Sequence, residues 1–337
     1  MKKRNKLYNA LALTLSALAF ASCNDFLDTM PDNRAQVDTE QKVQSILVSA
    51  YIDHEPIMVA EIISDNVDDF GENNPNTDRW FDDTFAWKDE TEDSNESLNS
   101  FWESAFVSIA SANQALQAIE ELEGSTTSNT LNECKAEALL CRAYNHFILA
   151  CMFCKHYSNS ADNDLGLPYI EKPETELNPQ YKRGTLAELY EKIDHDIQEA
   201  LPLVGDSYYT VPKYHFNTKA AYAFACRFYL YYEKWEEALK YANLCLGSQA
   251  KTMLRDWKSM ANMTQQADAI TNEYINASSN ANLLLLTGFS RIGVMFGPYK
   301  NYSRYNHGRY LALNEDMGAT NIWGNSSSFY MLSLIHI

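Results

Sequence analysis

The stretch from Asn217 to Leu246, NTKAAYAFACRFYLYYEKWEEALKYANLCL, leaves little choice of fold. Its apolar residues recur every three to four positions, which is the period of a helix with one buried face. The pattern breaks at Glu233-Lys234, so it predicts one helix over Asn217–Tyr232 and a second over Trp235–Leu246. Two helices joined by so short a link must lie against each other. Small residues at Ala225, Ala238 and Ala242 let their backbones approach closely.

The same period runs through most of the chain. Ser97–Leu122 carries Phe101, Ala105, Ile109, Ala112, Leu116 and Ile119, and the polar run EGSTTSN ends it. Leu131–Tyr157 is a long apolar-rich helix, and Thr185–Val204 sets Leu186, Leu189, Tyr190, Ile193, Ile197, Ala200 and Leu201 on one face. Thr39–Tyr51 has its stripe at Val43, Ile46, Leu47 and Ala50, and Ile57–Ile63 continues as a further helix. Asp162–Tyr181, with its prolines, is a connector. The fold class is therefore all-α. The small-residue spacing of the 217–246 pair resembles the tetratricopeptide pattern, and adjacent helical pairs predict a TPR-like stack with long irregular loops.

Two regions refuse the period. The first, SDNVDDFGENNPNTDRWFDDTFAWKDETEDSNES, is crowded with acids and amides yet holds Phe70, Trp80, Phe81, Phe85 and Trp87. A disordered acidic linker lacks aromatics, so a long ordered loop is expected. The spacing of its acids does not fit a calcium-binding EF-hand loop. The second begins at Thr287, where Tyr299, Tyr302, Tyr305, Tyr310 and Trp323 stand among Gly, Asn, Ser and Arg.

The N-terminus carries an address. Lys2, Lys3, Arg4 and Lys6 precede an uncharged run from Leu7 to Ser22, shorter than a membrane span, and Ala21-Ser22 leads into Cys23. This is the order of a bacterial lipoprotein signal, with Phe20 where a smaller aliphatic residue is usual. Residues 1–22 are the expected signal peptide, Cys23 the acylated N-terminus, 23–38 a tether and 39–337 the folded domain. Multiple acyl chains would hold the protein on a membrane where a single one binds marginally.

Removing residues 1–22 deletes four positive charges and no negative ones, leaving a net charge of −22. Such a surface repels phosphate backbones and anionic lipid, so nucleic acid is excluded as a partner and membrane attachment falls to the lipid. Cys134, Cys141, Cys151, Cys154, Cys226 and Cys245 sit in helical patterns and are expected as core thiols. Cys151-Met-Phe-Cys154 lacks the turn residues and the second CxxC of a zinc knuckle, so no metal site is expected. The motifs of a serine hydrolase elbow, a zinc protease or a P-loop are absent, and no cofactor is called for.

Four ordered blocks resemble the SusD/RagB family of nutrient-binding outer-membrane lipoproteins. AEALLCRAYNHFILACMFCKHYS matches through Ala136, Glu137, Arg142, Ala143, Tyr144 and Phe147, and DLGLPYI follows as the family's Gly-x-Pro-Tyr turn. RGTLAELYEKIDHDIQEAL matches through Arg183, Thr185, Glu188, Tyr190, Ile193, Asp196 and Ala200. KAAYAFACRFYLYYEKWEEALKYA matches through Ala221, Ala223, Arg227, Tyr229, Leu230, Trp235, Ala238 and Ala242. The chain departs from the family at NANLLLL, which lacks the usual preceding acid, and it stops where members normally continue, so the domain is expected to be incomplete at its C-terminus.

The resemblance implies a surface lipoprotein on the outer membrane, facing the cell exterior, that binds an oligosaccharide or polysaccharide. It would hand this ligand to a SusC-like TonB-dependent transporter, over which it sits as a lid. CNDFLD past the anchor resembles the export tag of such lipoproteins. Sugar C–H faces stack on aromatic rings while amides, acids and Arg satisfy the hydroxyls. The candidate ligand-binding residues are Trp80, Trp87, Tyr299, Tyr302, Tyr305 and Trp323, and the abundance of Tyr, 21 in all, suits such a surface. Peptides are the alternative nutrient. A surface glycoside hydrolase would need two carboxylates about 5–10 Å apart, for which Asp68, Asp69, Asp82, Asp83 and Glu315 could be nominated; we expect a binding protein without catalytic residues.

Overall fold

The structure, a computed structural model, describes residues 37–72, 79–123, 128–177, 179–248, 250–263, 267–295 and 304–307. Helices dominate it. α1 (Glu40–Leu47), extended by a 3-10 turn to Ala50, is followed by α2 (Ile57–Ile62), strand β1 (Val67–Asp69) and α3 (Arg79–Phe85). The long helices α4 (Leu98–Glu123) and α5 (Asn129–Phe153) come next, then α6 (Leu186–Ala200) and the pair α7 (Thr218–Tyr231) and α8 (Trp235–Leu246). Short helices α9 (Trp257–Ala261), α10 (Ala267–Tyr274) and α11 (Ile292–Met295) precede strand β2 (Tyr305–His307).

The helix starts are written locally. Thr39, Ser128 and Asn217 are N-caps whose side-chain oxygens accept otherwise orphaned backbone N–H groups, with Ser128 bonding Leu131 at 3.0 Å. Thr185 and Glu188 form a reciprocal capping box at the start of α6, with bonds of 3.2 and 2.9 Å.

α5 is the axis of the molecule. It is buried on nearly all sides, packing against α4, α6, α7 and α1, as a helix without a polar face must. Buried alanines at 136, 143 and 150 recur at seven-residue spacing along it, and Ala105 and Ala112 do so on α4, which lets the two backbones run close. α7 and α8 form the close pair expected, with Phe228 and Tyr229 buried on one side and Ala238, Tyr241 and Cys245 on the other. The chain turns between them through Glu233 at φ 59°.

Several of the residues that carry the family resemblance are structural. Arg142 of α5 forks onto Asp196 of α6 at 2.6 and 2.7 Å, and its remaining N–H groups reach Asn113 at 2.9 Å and the Glu171 carbonyl at 3.1 Å. Asn113 in turn donates to the Ile170 carbonyl at 2.9 Å, and the Tyr169 hydroxyl donates to Asp196. His146 donates from Nδ1 to the Arg142 carbonyl at 2.8 Å and accepts the Ile170 N–H at Nε2, 3.1 Å. These bonds lash the 162–181 connector across three helices. A Cβ at Gly166 would collide with the Thr185 carbonyl, which is why the turn needs glycine there.

The first irregular region departs from the expected loop. It contains β1 and α3, and Val67, Trp80 and Phe81 are buried in a second hydrophobic cluster with Met58, Val59 and Ile62 of α2, Ile292 and Met295 of α11, and Tyr305 of β2. A seven-residue helix and three-residue strands are too short to show a period; long-range packing makes them. α9 and α10 likewise went unexpected. Of the six cysteines, Cys134, Cys141 and Cys245 are buried as expected, whereas Cys151 is exposed and Cys154 and Cys226 are half-buried. Burial pushes the Cys134 thiol up to about 12, which keeps it inert. No helix among the described residues is long and apolar enough to cross a membrane.

Candidate functional site

The two irregular regions, far apart in sequence, meet. β1 and β2 pair antiparallel, with Val67 opposite His307, Asp68 opposite Asn306 and Asp69 opposite Tyr305, and the Phe70 N–H extends the ladder to the Arg304 carbonyl at 2.7 Å. On the inner face His307 Nε2 bonds the buried Glu61 carboxylate at 2.8 Å. On the outer face Asp68 and Asn306 stand side by side, and Phe70 is 51% exposed.

Arg304 organises the acids. Its Nε and Nη2 clasp Asp69 at 2.9 and 2.8 Å, and Nη1 reaches Asp82 of α3 at 3.1 Å. Tyr305 donates its hydroxyl to the same Asp82 oxygen at 2.7 Å and sets its ring 4.7 Å from that of Phe85. α3 is thereby locked to the strand pair. Hydrogen bonding from Arg304 holds the Asp69 carboxyl below the usual carboxylate range, and bonds from Thr91 do the same for Asp83.

The loop that follows α3 is tied at both ends by carboxylates accepting N–H and O–H groups. Asp83 accepts the Thr91 N–H at 3.0 Å and its hydroxyl at 2.6 Å. Glu90 takes the Thr84 hydroxyl at 2.8 Å and the Leu98 N–H at 2.9 Å, the latter capping α4. Glu96 takes the Arg291 N–H at 2.8 Å and its Nε at 3.0 Å. Acid crowding here is mostly scaffold.

α3 ends in an unusual way. The Trp87 N–H bonds the Thr84 carbonyl at 3.1 Å and the Lys88 N–H bonds the Asp83 carbonyl at 2.9 Å, the two bonds of a Schellman turn. The residue in the left-handed position of that turn is ordinarily Gly, but here it is Trp87, at φ 55°. A bulky side chain there costs about 1–2 kcal/mol, and the ring is 75% exposed. The fold thus holds a strained backbone to present an indole to solvent.

The other candidates fall differently. Trp80, expected as a platform, is 1% exposed and sits in the α2–α3 cluster, its ring 4.2 Å from Phe81. Tyr305 is 4% exposed and supports the surface from beneath. Both are enclosed because α3 must bury an apolar face to hold at all. Tyr299, Tyr302 and Trp323, like Cys23, lie outside the described residues. Phe70, Arg304 and Asn306 were not among the candidates; the only hint was a charged residue and an amide amid the tyrosines of NYSRYNHGRY. Among the described residues no cluster of three or more His, Cys, Asp or Glu is arranged to hold a metal ion.

A family model described as "starch-binding associating with outer membrane", of the SusD-like kind, matches residues 25–230. The chain belongs to the SusD-like family. No curated protein is significantly similar to it. Among solved structures it is similar to a putative sugar-binding protein from Bacteroides vulgatus, at 18% identity and TM-score 0.61, over 84% of this chain and 64% of that one. A SusD-like carbohydrate-binding protein of the same organism matches at 16% identity and TM-score 0.56, over 81% and 58%. A SusD superfamily protein from Bacteroides thetaiotaomicron matches at 22% and 0.54, over 69% and 50%. The chain thus spans about half to two thirds of the length of these relatives, and what it shares with them is the SusD-like fold. The family match includes α1 to most of α7, so the β1–α3 half of the surface falls within it and β2 beyond it.

Proposed function

We propose that this SusD-like chain is a cell-surface glycan-binding lipoprotein, anchored through acylated Cys23 on the outer membrane, that delivers oligosaccharides to a SusC-like TonB-dependent transporter. The observation that carries the binding reading is Trp87, an exposed indole on a strained left-handed residue at the end of a helix locked to the strand pair. Strain retained at an exposed aromatic has a purpose when the ring meets a partner. Phe70 offers a second apolar face, and Asp68 and Asn306 offer hydroxyl partners beside it. Tyr299, Tyr302 and Trp323 remain candidates to extend the surface.

Binding is favoured over hydrolysis by the state of the nominated acids. A glycosidase needs one carboxyl kept protonated by a raised pKa. Asp69 and Asp82 share one guanidinium, and Asp69 and Asp83 are pushed the opposite way. Incubating the chain lacking residues 1–23 with starch and other polysaccharides should give binding without release of reducing ends. Pull-down from membranes in mild detergent should recover a large TonB-dependent protein. Reducing-end release above the level of an Asp69→Asn/Asp82→Asn variant would refute the binding-only reading, and recovery of the chain alone from cells expressing the transporter would refute the partner.

A further inference from the structure

A cavity of about 400 Å³ lies on the α5–α7 side of the molecule. Two helix faces build its walls. Tyr144, Ile148, Cys151 and Met152 project from α5 at helical spacing, and Ala220, Ala223, Phe224 and Arg227 do so from α7. The extended segment after α10 closes a third side with Leu283, Leu284 and Leu286. That segment is fixed: Leu285 N–H bonds the Lys213 carbonyl at 2.7 Å, Asn217 donates to the Leu283 carbonyl at 2.8 Å, and Asn282 is held by Arg255 at 2.7 Å.

The volume falls in the range of small-molecule sites. Its walls are largely aliphatic, which suits a hydrocarbon body better than the stacked rings a sugar needs. Two charged side chains of opposite sign share it. Arg227 makes no hydrogen bond or ion pair among the described residues, its guanidinium resting 5.7 Å from the Phe147 ring centre. Glu55 receives a single long contact from the Tyr144 hydroxyl at 3.5 Å. The two do not pair with each other, and burial lifts the Glu55 carboxyl to about 7 against the opposing pull of the Arg227 charge. A half-buried acid and a half-buried guanidinium held apart in a largely apolar chamber are each short of a partner.

We propose that this cavity binds a free α-amino acid with a bulky apolar side chain, its carboxylate on Arg227, its ammonium on Glu55 and its side chain among Ile148, Phe224 and Leu284. Arg presents the fork that carboxylates fit. The site is separate from the aromatic surface and does not depend on the glycan reading.

The test uses the full chain without residues 1–23 and calorimetric titration with L-phenylalanine, N-acetyl-L-phenylalanine and phenethylamine. L-phenylalanine should bind saturably and maltose should not compete. Glu55→Gln should weaken L-phenylalanine and phenethylamine by about 10- to 100-fold and leave N-acetyl-L-phenylalanine unchanged. Arg227→Gln should weaken L-phenylalanine and N-acetyl-L-phenylalanine and spare phenethylamine. Unchanged helical circular dichroism keeps misfolding out of the comparison. Absence of saturable L-phenylalanine binding to the unaltered chain, or equal loss of all three ligands in either folded variant, would overturn the proposal.

Discussion

Replacing Trp87 by Gly and, in parallel, by Ala separates what the ring does from what the backbone does. The indole is 75% exposed, so either truncation removes about a quarter of the roughly 200 Å² that a Trp can bury. At about 25 cal/mol per Å² that is about 1 kcal/mol lost in both variants. Ala keeps the left-handed strain of φ 55°. Gly releases about 1–2 kcal/mol of it and returns about 0.5–1 kcal/mol through its freer unfolded chain. Trp87→Gly should therefore be more stable than Trp87→Ala by about 0.5–1 kcal/mol, although Gly is the smaller residue. At about 2–4 °C per kcal/mol the Gly variant should melt about 1–4 °C above the Ala variant. Both should lose glycan affinity alike, by about 5- to 150-fold for one stacking platform of about 1–3 kcal/mol. Differential scanning calorimetry and affinity electrophoresis read the two effects. An Ala variant melting above the Gly variant would refute the strain argument. Undiminished affinity in both, with the melting order as stated, would remove Trp87 from the site.

Arg142→Met strands Asp196 in the core and should cost about 3–5 kcal/mol in urea unfolding, most of which Arg142→Met/Asp196→Leu recovers; an equally unstable double variant contradicts the buried-pair account. Burial and the nearby Arg142 charge hold His146 neutral, its folded-state pKa near 3 against an ordinary 6.5. The unfolded chain therefore takes up that proton first, so stability is full above pH 6.5 and falls as pH drops from 6.5 toward 3. His146→Gln should flatten that portion of the stability profile relative to the unaltered chain, and parallel profiles would show that His146 is not the group. Cys23→Ala should leave the protein as uncleaved precursor or a soluble form; membrane fractionation with a retained lipid label would refute acylation at this position.

The long helices α4 to α8 were legible because each is long enough to repeat its apolar stripe. The 217–246 pair and the Thr185 cap were readable residue by residue, since their causes are local. The β1–β2 ladder was not, because a three-residue strand is made by a partner some 240 positions away, and Arg304 gains its meaning only from Asp69 and Asp82. Trp80 and Trp87 show the limit most clearly. They stand seven residues apart in the same acidic run and look alike in composition. Yet the first is the buried anchor of α3, and the second sits in the turn that ends it. Whether an aromatic faces inward depends on where a short helix stops, and that depends on packing.

The central claim is that the strand-pair surface with Trp87 at its edge binds glycan, and one measurement tests it most directly. The chain lacking residues 1–23 is run through native gels containing starch or another polysaccharide beside a Phe70→Ala/Trp87→Ala variant of matched melting behaviour. The account predicts retardation of the unaltered chain in at least one polysaccharide and free migration of the double variant in the same gel. Free migration of the unaltered chain in every polysaccharide, or equal retardation of both proteins, would contradict it.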